Sequence, residues 1–527
     1  MKHKHVFVQL LLMMVLSGCM VGPDYTRPKA PIEESWVSEE KPGVDRNAQV
    51  DAAWWTVFGD PVLDSLVETA YRENLDLQIA AMRVLGSMAG RGVALGELFP
   101  QSQAVQGNYL REHLPSSTQP DYKNQWAFSF DASWELDFWG KIRRSIQSAS
   151  AQVDASIASY DDVMVSLVSE VALTYVSIRV ADEQIAIQEY NIKVQERSLQ
   201  IAQDKYDAGR GTLLDVKQAS SLLNQTRAAL TITLVSRRQA VYQLCALLGR
   251  TPGNLEEILH GAGKIPDAPT DVAVGAPADL LRRRPDIRVA ERQAAAQSAL
   301  IGVQKAVLYP SFSLVGSIGV ESDDFDSLWS RSKSRVGVVN PGFNWPILNY
   351  GRNKNNIRAQ DAAFQAAALN YQNTVLTAAQ EVESSLLGFR GSRDQAAQLA
   401  LSVSAAKDAA DLSTQQYVEG ATDYTRVLQS QQTLLEVESR HATVRGNVAT
   451  NLIATYKALG GGWEIRKGLT EMVPPAIQEE MRQRTDWGDY FELLDETGDR
   501  TNEPTFYERF DPSGSEEEHG APSKEQP

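Results

Sequence analysis

Several things are scarce in this chain of 527 residues. It has two cysteines, Cys19 and Cys245, so a disulfide framework is excluded. Cys245 sits in the apolar stretch Val241–Leu248 and reads as a small core residue. Of six histidines, His3 and His5 lie in the N-terminal leader, and His113, His260, His441 and His519 make no ligand spacing. There is no His-Glu-x-x-His, no Gly-x-Ser-x-Gly, no phosphate loop and no Cys-x-x-Cys, so no enzyme and no metal site are expected. Positive charge is in the minority, with 51 Lys and Arg against 67 Asp and Glu, a net −16, which argues against a nucleic-acid partner. The excess is local: residues 464–527 carry 17 acids and 7 bases. After the N-terminus no run approaches the ~20 apolar residues of a spanning helix, so any membrane crossing is expected to be by β-strands.

What is present begins with an address. Lys2 and Lys4 precede an apolar run from Val6 to Leu16, the pattern of a secretory signal, so residues 1–18 read as a signal peptide. The run ends in Leu16-Ser-Gly-Cys19, which resembles the lipobox of bacterial lipoproteins. Cys19 is therefore the expected lipid attachment site, and the covalent lipid is the only prosthetic group expected. Several acyl chains make a stable anchor where one does not. Met20, in place of the Asp that commonly retains such lipoproteins at the inner membrane, points to the outer membrane.

The chain also repeats itself. Trp134-Glu-Leu-Asp-Phe-Trp-Gly140 recurs as Trp345-Pro-Ile-Leu-Asn-Tyr-Gly351, an offset of 211. At that offset Ile146, Ala151, Ala155, Tyr160, Glu170, Val171 and Arg179 match Ile357, Ala362, Ala366, Tyr371, Glu381, Val382 and Arg390. The register continues through Tyr206 and Tyr417, Gly209 and Gly420, Val216 and Val427, and Gln218 and Gln429. Upstream, Phe99-Pro100 and Tyr309-Pro310 match at 210. Repeat unit 1 spans 61–253, a linker 254–278, and repeat unit 2 279–463. Residues 19–60 form a lipid-anchored N-terminal segment, and 464–527 an acidic, partly disordered tail.

Each unit reads as a helical stretch, a β-hairpin and two long helices. Unit 1 opens with a helix over about 61–98, ended by Pro100. Strands follow at about 101–112 and 124–138. In the second, Trp126, Phe128, Phe130, Ala132, Trp134, Leu136 and Phe138 alternate with polar residues. Strands usually run ~5–6 residues. A longer one with an aromatic-rich apolar face and an acidic polar face fits a transmembrane strand. No proline or glycine interrupts 141–207, and a second helix is expected at 213–248. Unit 2 repeats the plan, with strands at about 311–320 and 334–346 and helices at about 352–417 and 423–459. In the tail, Trp487, Tyr490, Phe491, Leu493 and Leu494, or Phe506, Tyr507 and Phe510, suggest a short docking helix. Two units supply four membrane strands, too few to close a barrel, and an open edge in lipid leaves backbone groups unpaired. Copies must pool strands: a dimer gives eight and a trimer twelve, with room for a lumen.

Together, Cys19 with Gly22-Pro-Asp-Tyr25, Trp54-Trp55, Phe58-Gly-Asp-Pro-Val-Leu63, Arg282-Arg-Arg-Pro-Asp-Ile287, Trp345-Pro-Ile347 and Tyr456-Lys-Ala-Leu-Gly-Gly-Gly-Trp463 resemble the TolC-like outer-membrane efflux proteins, in the lipoprotein branch that includes OprM and the NodT-type proteins. The resemblance covers about 19–463. It implies a mainly α fold with membrane β: a homotrimer whose twelve-stranded barrel continues into a periplasmic α-helical tunnel. It also implies passive conduction, with energy from an inner-membrane pump joined through a periplasmic adaptor. In the family the tunnel closes at its periplasmic tip, where the helix pairs turn, here Gly209–Val216 and Gly420–Gln429. Tyr417 matches a family tyrosine of tip closure. The family's two tip acids are replaced here by Arg426 and Gln429, while unit 1 carries Asp215 where unit 2 has Arg426. The expected gate is thus Asp215, Tyr417, Asp423, Arg426 and Gln429, with Arg426 latching onto Asp215 or Asp423. The alternative of another class is a structural coiled-coil lipoprotein that scaffolds the periplasm.

Overall fold

The computed structural model describes residues 20–33, 35–37, 44–45, 52–114, 121–260, 263–269, 272–273, 277–330, 334–468 and 472–496. Cys19 and the signal peptide lie outside the described residues, as do Phe506, Tyr507, Phe510 and the rest of the chain after 496.

Unit 1 begins with two helices, α1 (Pro61–Glu73) and α2 (Leu75–Gly96), where one helical stretch up to Pro100 is expected. Asn74 makes the break. Its backbone is extended and its side chain accepts from the Leu77 amide, capping α2. Strands β1 (Ser102–Leu114) and β2 (Asp121–Leu136) form the hairpin. β2 stops short of the expected 138 because Asp137 turns inward to cap the next helix, accepting from the Ile142 and Arg143 amides at 2.9 Å each. Helix α3 (Lys141–Asp207) has 67 residues and α4 (Leu213–Leu247) has 35. At 1.5 Å per residue α3 is on the order of 100 Å long.

Unit 2 repeats this with α5 (Pro285–Ala306), β3 (Ser311–Ser322), β4 (Arg335–Asn344), α6 (Arg352–Glu419) and α7 (Tyr424–Ala458). All pairings in the four-stranded sheet, order β1-β2-β3-β4, are antiparallel. A short parallel bridge, Val44–Asp45 to Val272–Ala273, ties the linker to the N-terminal segment.

The main hydrophobic core lies where α1, α2, α5 and the helix ends of α4 and α7 surround the middle of α3 and α6, with Trp54, Tyr160, Tyr175, Tyr371 and Phe389 fully buried. One window of α3 is apolar enough, by length and composition, to cross a membrane, which corrects the expectation that no stretch after the N-terminus is. Two-thirds of that window is buried in this core, so it is a core helix rather than a span. A second, smaller core sits at the far end of the helices and contains Ala202, Val216, Ala219, Tyr417, Tyr424 and Val427.

The tail folds onto the body. A 3-10 turn (Trp463–Gly468) buries Arg466, and α8 (Pro475–Arg484) and α9 (Tyr490–Glu496) follow. Phe491 and Leu494 are buried, and Tyr490 lies against Gly92 of α2. The docking helix suggested by Trp487–Leu494 therefore docks on its own chain.

Candidate functional site

The sheet has two unlike faces. Cross-strand pairs put Phe128 opposite Val320, Phe130 opposite Ile318, Trp134 opposite Leu314 and Leu136 opposite Phe312 on one face. The other pairs Ser129 with Gly319, Asp131 with Ser317 and Glu135 with Ser313. Phe128, Phe130, Ile318, Val339 and Phe343 are exposed, and every residue of β4 is exposed. Aromatic rings gather where the strands meet the helices. Trp139 stacks on Tyr309 at 4.7 Å, and Phe138 meets Phe312 at 5.7 Å. The indoles of Trp134 and Trp345, equivalent in the repeat, donate to the equivalent carbonyls of Leu98 and Leu308 at 3.1 and 3.0 Å. Among the described residues β1 and β4 are bonded on one side only.

The N-terminal segment runs from this junction along the helices. The Val21 amide donates to the Trp139 carbonyl at 3.1 Å, and Met20 packs on Gly140, whose φ of +75° suits a residue without a Cβ. Arg144 donates to Asp24 at 2.9 Å, and the Tyr25 hydroxyl to Glu291 at 2.9 Å. Further along, Gln372 donates to the Lys29 carbonyl, and the Val37 amide to Glu383.

In the main core Asp161 is fully buried between two guanidiniums, 3.3 Å from Arg466 of the tail and 3.3 Å from Arg288 of α5. Burial pushes its carboxyl above the ordinary range despite both cations. Nearby Asp154, 3.7 Å from Arg292, is pushed up to about 6, again chiefly by burial. These pairs join the tail, unit 1 and unit 2.

At the opposite end the two helix pairs turn alike. Gly209 and Gly420 close α3 and α6 with φ of +68° and +81°. Thr212 and Asp423 then cap α4 and α7, accepting from the Asp215 and Arg426 amides. In unit 1 Asp215 completes a capping box with Thr212. In unit 2 the equivalent third helical position is Arg426, a cation where the helix dipole favours an anion.

The five expected gate residues separate into two groups. Asp215 and Tyr417 are brought together, the tyrosine hydroxyl donating to the carboxylate at 3.4 Å. Tyr417 is buried, meets Tyr424 edge-on at 5.3 Å, and has its phenol pushed up to about 12, first by burial and then by Asp215. Lys205 donates to the Tyr417 carbonyl and lies over its ring at 4.3 Å. Tyr424 reaches Ser198 at 3.2 Å. Asp423, Arg426 and Gln429 are exposed. Arg426 makes no ion pair among the described residues: Asp423 is engaged by its backbone amide, and Asp215 by Thr212 and Tyr417. No sequence pattern singles out Lys205, Ser198 or Tyr424. Tyr424 sits one residue past the cap at Asp423, the one local signal that could have found it.

The family model described as outer membrane efflux protein matches residues 66–250 and 276–461. The toluene efflux pump outer membrane protein TtgF of Pseudomonas putida is 30% identical over 479 residues, spanning 87% of this chain and 97% of its own. Nodulation protein T of Rhizobium leguminosarum bv. trifolii is 30% identical over 457 residues, spanning 85% and 96%. Among solved structures the outer-membrane channel OprN superposes with a TM-score of 0.80 at 30% identity, covering 84% of this chain and 100% of that one.

Proposed function

Since the chain belongs to the outer membrane efflux protein family and is an outer-membrane efflux channel rather than an enzyme, we propose that it works as a lipid-anchored homotrimer whose pooled strands make a twelve-stranded barrel. The helices continue that barrel as a periplasmic tunnel. The chain is a component of a tripartite efflux system. The duct conducts small molecules passively, and the adaptor and the inner-membrane pump drive the flow from its periplasmic end.

One observation carries the reading: a sheet with an exposed apolar face and two open edges. Each backbone group left unpaired in hydrocarbon costs several kcal/mol, so further copies of this sheet must close it. A row of exposed leucines on α6 supports the same conclusion. Leu369, Leu376, Leu387, Leu401 and Leu412 are spaced so that all five fall on one narrow stripe of the helix. Such a stripe in a water-soluble segment calls for a partner. A periplasmic scaffold would leave the aromatic hairpins without a role.

The lipid on Cys19 would enter the bilayer at the right level. The next residue, Met20, packs on Gly140, where β2 passes into α3. The gate is the tip. Within one copy the latch is Tyr417 on Asp215, and Arg426 is left to meet a neighbouring copy. Purified protein should run as a trimer in mild detergent and give single-channel conductance in planar bilayers. A monomeric rod without conductance would exclude the duct. If Arg426→Ala leaves both conductance and entry of large antibiotics at wild-type levels, Arg426 has no part in the gate.

A further inference from the structure

The wall has two kinds of seam. Inside the chain, unit 1 abuts unit 2; between copies, unit 2 abuts unit 1 of the next. We propose that the second seam repeats the geometry of the first. The closing strands then pair with Phe343 of one copy opposite Gly107 of the next, and Val235 of that next copy seats against Gly391. The proposal rests on the oligomeric duct and adds what that reading leaves open, the residues that touch.

The strand register follows from matching the two hairpins pair by pair, the offset dropping from 210 at Pro100 and Pro310 to 209 at the first strand residue. Ser102 faces Ser133 in the first, and Ser311 faces Asn344 in the second. β2 therefore maps onto β4 at the repeat offset of 211, whereas β1 maps onto β3 at 209. Across the internal seam Ala132 faces Gly316, and Phe130 faces Ile318. Carried to the open edges, these pairs become Phe343 with Gly107 and Pro341 with Tyr109. The faces agree. Phe343 and Pro341 share a face with Phe312 and Leu314, and Gly107 and Tyr109 share one with Phe128 and Trp126. A slip of one residue would set an apolar face against a polar one, so only slips of two compete. Both mapped positions, Gly316 and Gly107, are glycine; the Phe128 ring stands 3.3 Å from where a Gly107 Cβ would be, so Phe343 would meet that ring beside the glycine.

The helices carry an independent sign. On the internal seam Val180 of α3 fills the space above Gly446 of α7, where a methyl group would collide with it. The repeat offset converts Val180 into Gly391 and Gly446 into Val235: the same knob and hole with the sides exchanged. Gly391 has open space where a Cβ would stand, and Val235 is half-exposed. Neighbouring positions follow suit. Val165, Val176 and Ile453 are buried, whereas their counterparts Leu376, Leu387 and Tyr242 are exposed. At the junction Trp139 lies on Tyr309, while their counterparts Tyr350 and Phe99 are both exposed and await each other across copies.

The test is disulfide cross-linking of the full-length protein in membranes, in a Cys245→Ser background with Cys19 intact. Phe343→Cys with Gly107→Cys should convert monomer into a covalent ladder ending at trimer on oxidation. Phe343→Cys paired with Val105→Cys or with Tyr109→Cys, the two-residue slips, should stay monomeric on denaturing gels. Trimers that cross-link chiefly at a slipped pair, or at none of the three, overturn the register and leave the oligomeric duct standing. Monomers in mild detergent before oxidation overturn the duct itself. A second arm reads the helices. Gly391→Val should lose the trimer, and adding Val235→Ala should restore it. An undiminished trimer in Gly391→Val alone, or no recovery in the double variant, overturns the helix seat.

Discussion

The main core around the middle of α3 and α6, the equator of the molecule, and the tip are held together by different physics, although the same long helices run through both. At the equator aromatic side chains and buried ion pairs from both units and the tail interlock, with Asp161 at the centre. At the tip six buried hydrophobic side chains, two helix caps and a few hydrogen bonds, those of Tyr417 with Asp215 and Lys205 and of Tyr424 with Ser198 among them, hold four helix ends. Burial of that extent resists opening, whereas a small core with exposed backbone ends opens at low free energy. The proposed duct, assembled from several copies and opening at its tip, needs this division.

The comparison breaks if equatorial and tip substitutions have effects of the same kind. The largest expected effect is Asp161→Ala, which leaves Arg466 buried without its counter-charge and should lower stability by about 3–5 kcal/mol. Thermal unfolding of the solubilised protein measures it, and a shift no larger than that of a tip variant would erase the distinction.

Asp154→Asn should act in the opposite direction. The folded-state pKa of about 6 is raised above the ordinary value of 3.8, so the ionised carboxylate opposes folding. That penalty is absent below the unfolded pKa, grows between pH 3.8 and 6, and is full above. The variant should be more stable at pH 7.5 by up to about 3 kcal/mol and equal to wild type at pH 3.5. A gain independent of pH would assign the effect to packing.

Tip changes should leave the melting temperature in place. Asp423→Ala removes the cap of α7, worth about 1 kcal/mol locally; hydrogen exchange should accelerate at the Arg426 amide and not in α3 near Asp161. The smallest effect on stability, under about 1 kcal/mol, is expected for Tyr417→Phe, which deletes only the hydroxyl bonded to Asp215. Its readout is conductance: a closed-state leak above wild type supports the latch, and an unchanged channel removes Tyr417 from it. With its phenol pushed up to about 12, Tyr417 stays protonated near neutral pH, so its own ionisation does not loosen the contact.

Local features were legible in the sequence. The α3 limits, 141 and 207, follow from a tract without proline or glycine, and the long strand β2 from its alternation. The break at Asn74 is not legible because no proline or glycine marks it; only the Asn74 side chain, capping the start of α2, separates it from α1. Long-range partners were hidden. Nothing near Asp161 in sequence announces Arg466, 305 residues later, and the apolar residues of the tail do not say in sequence that Tyr490 and Phe491 lie against α2 and the core. At the tip the asymmetry of Asp215 and Arg426 was visible, yet the pairing expected from charge did not form. Backbone amides at the helix starts took the carboxylate of Asp423 and shared that of Asp215 with Tyr417.

The exchanged valine and glycine, Val180 on Gly446 inside the chain and, in the proposed seam, Val235 facing Gly391 between copies, have a consequence for how damage is felt. Joining two units in one chain turns half of the seams into intramolecular contacts, formed at high effective concentration however dilute the protein is. Substitutions there are read by folding. Substitutions in the other half are read by mass action, so they should be rescued by higher expression and exposed by dilution. Two mutations of similar size in equivalent sites would then differ in phenotype only through protein abundance.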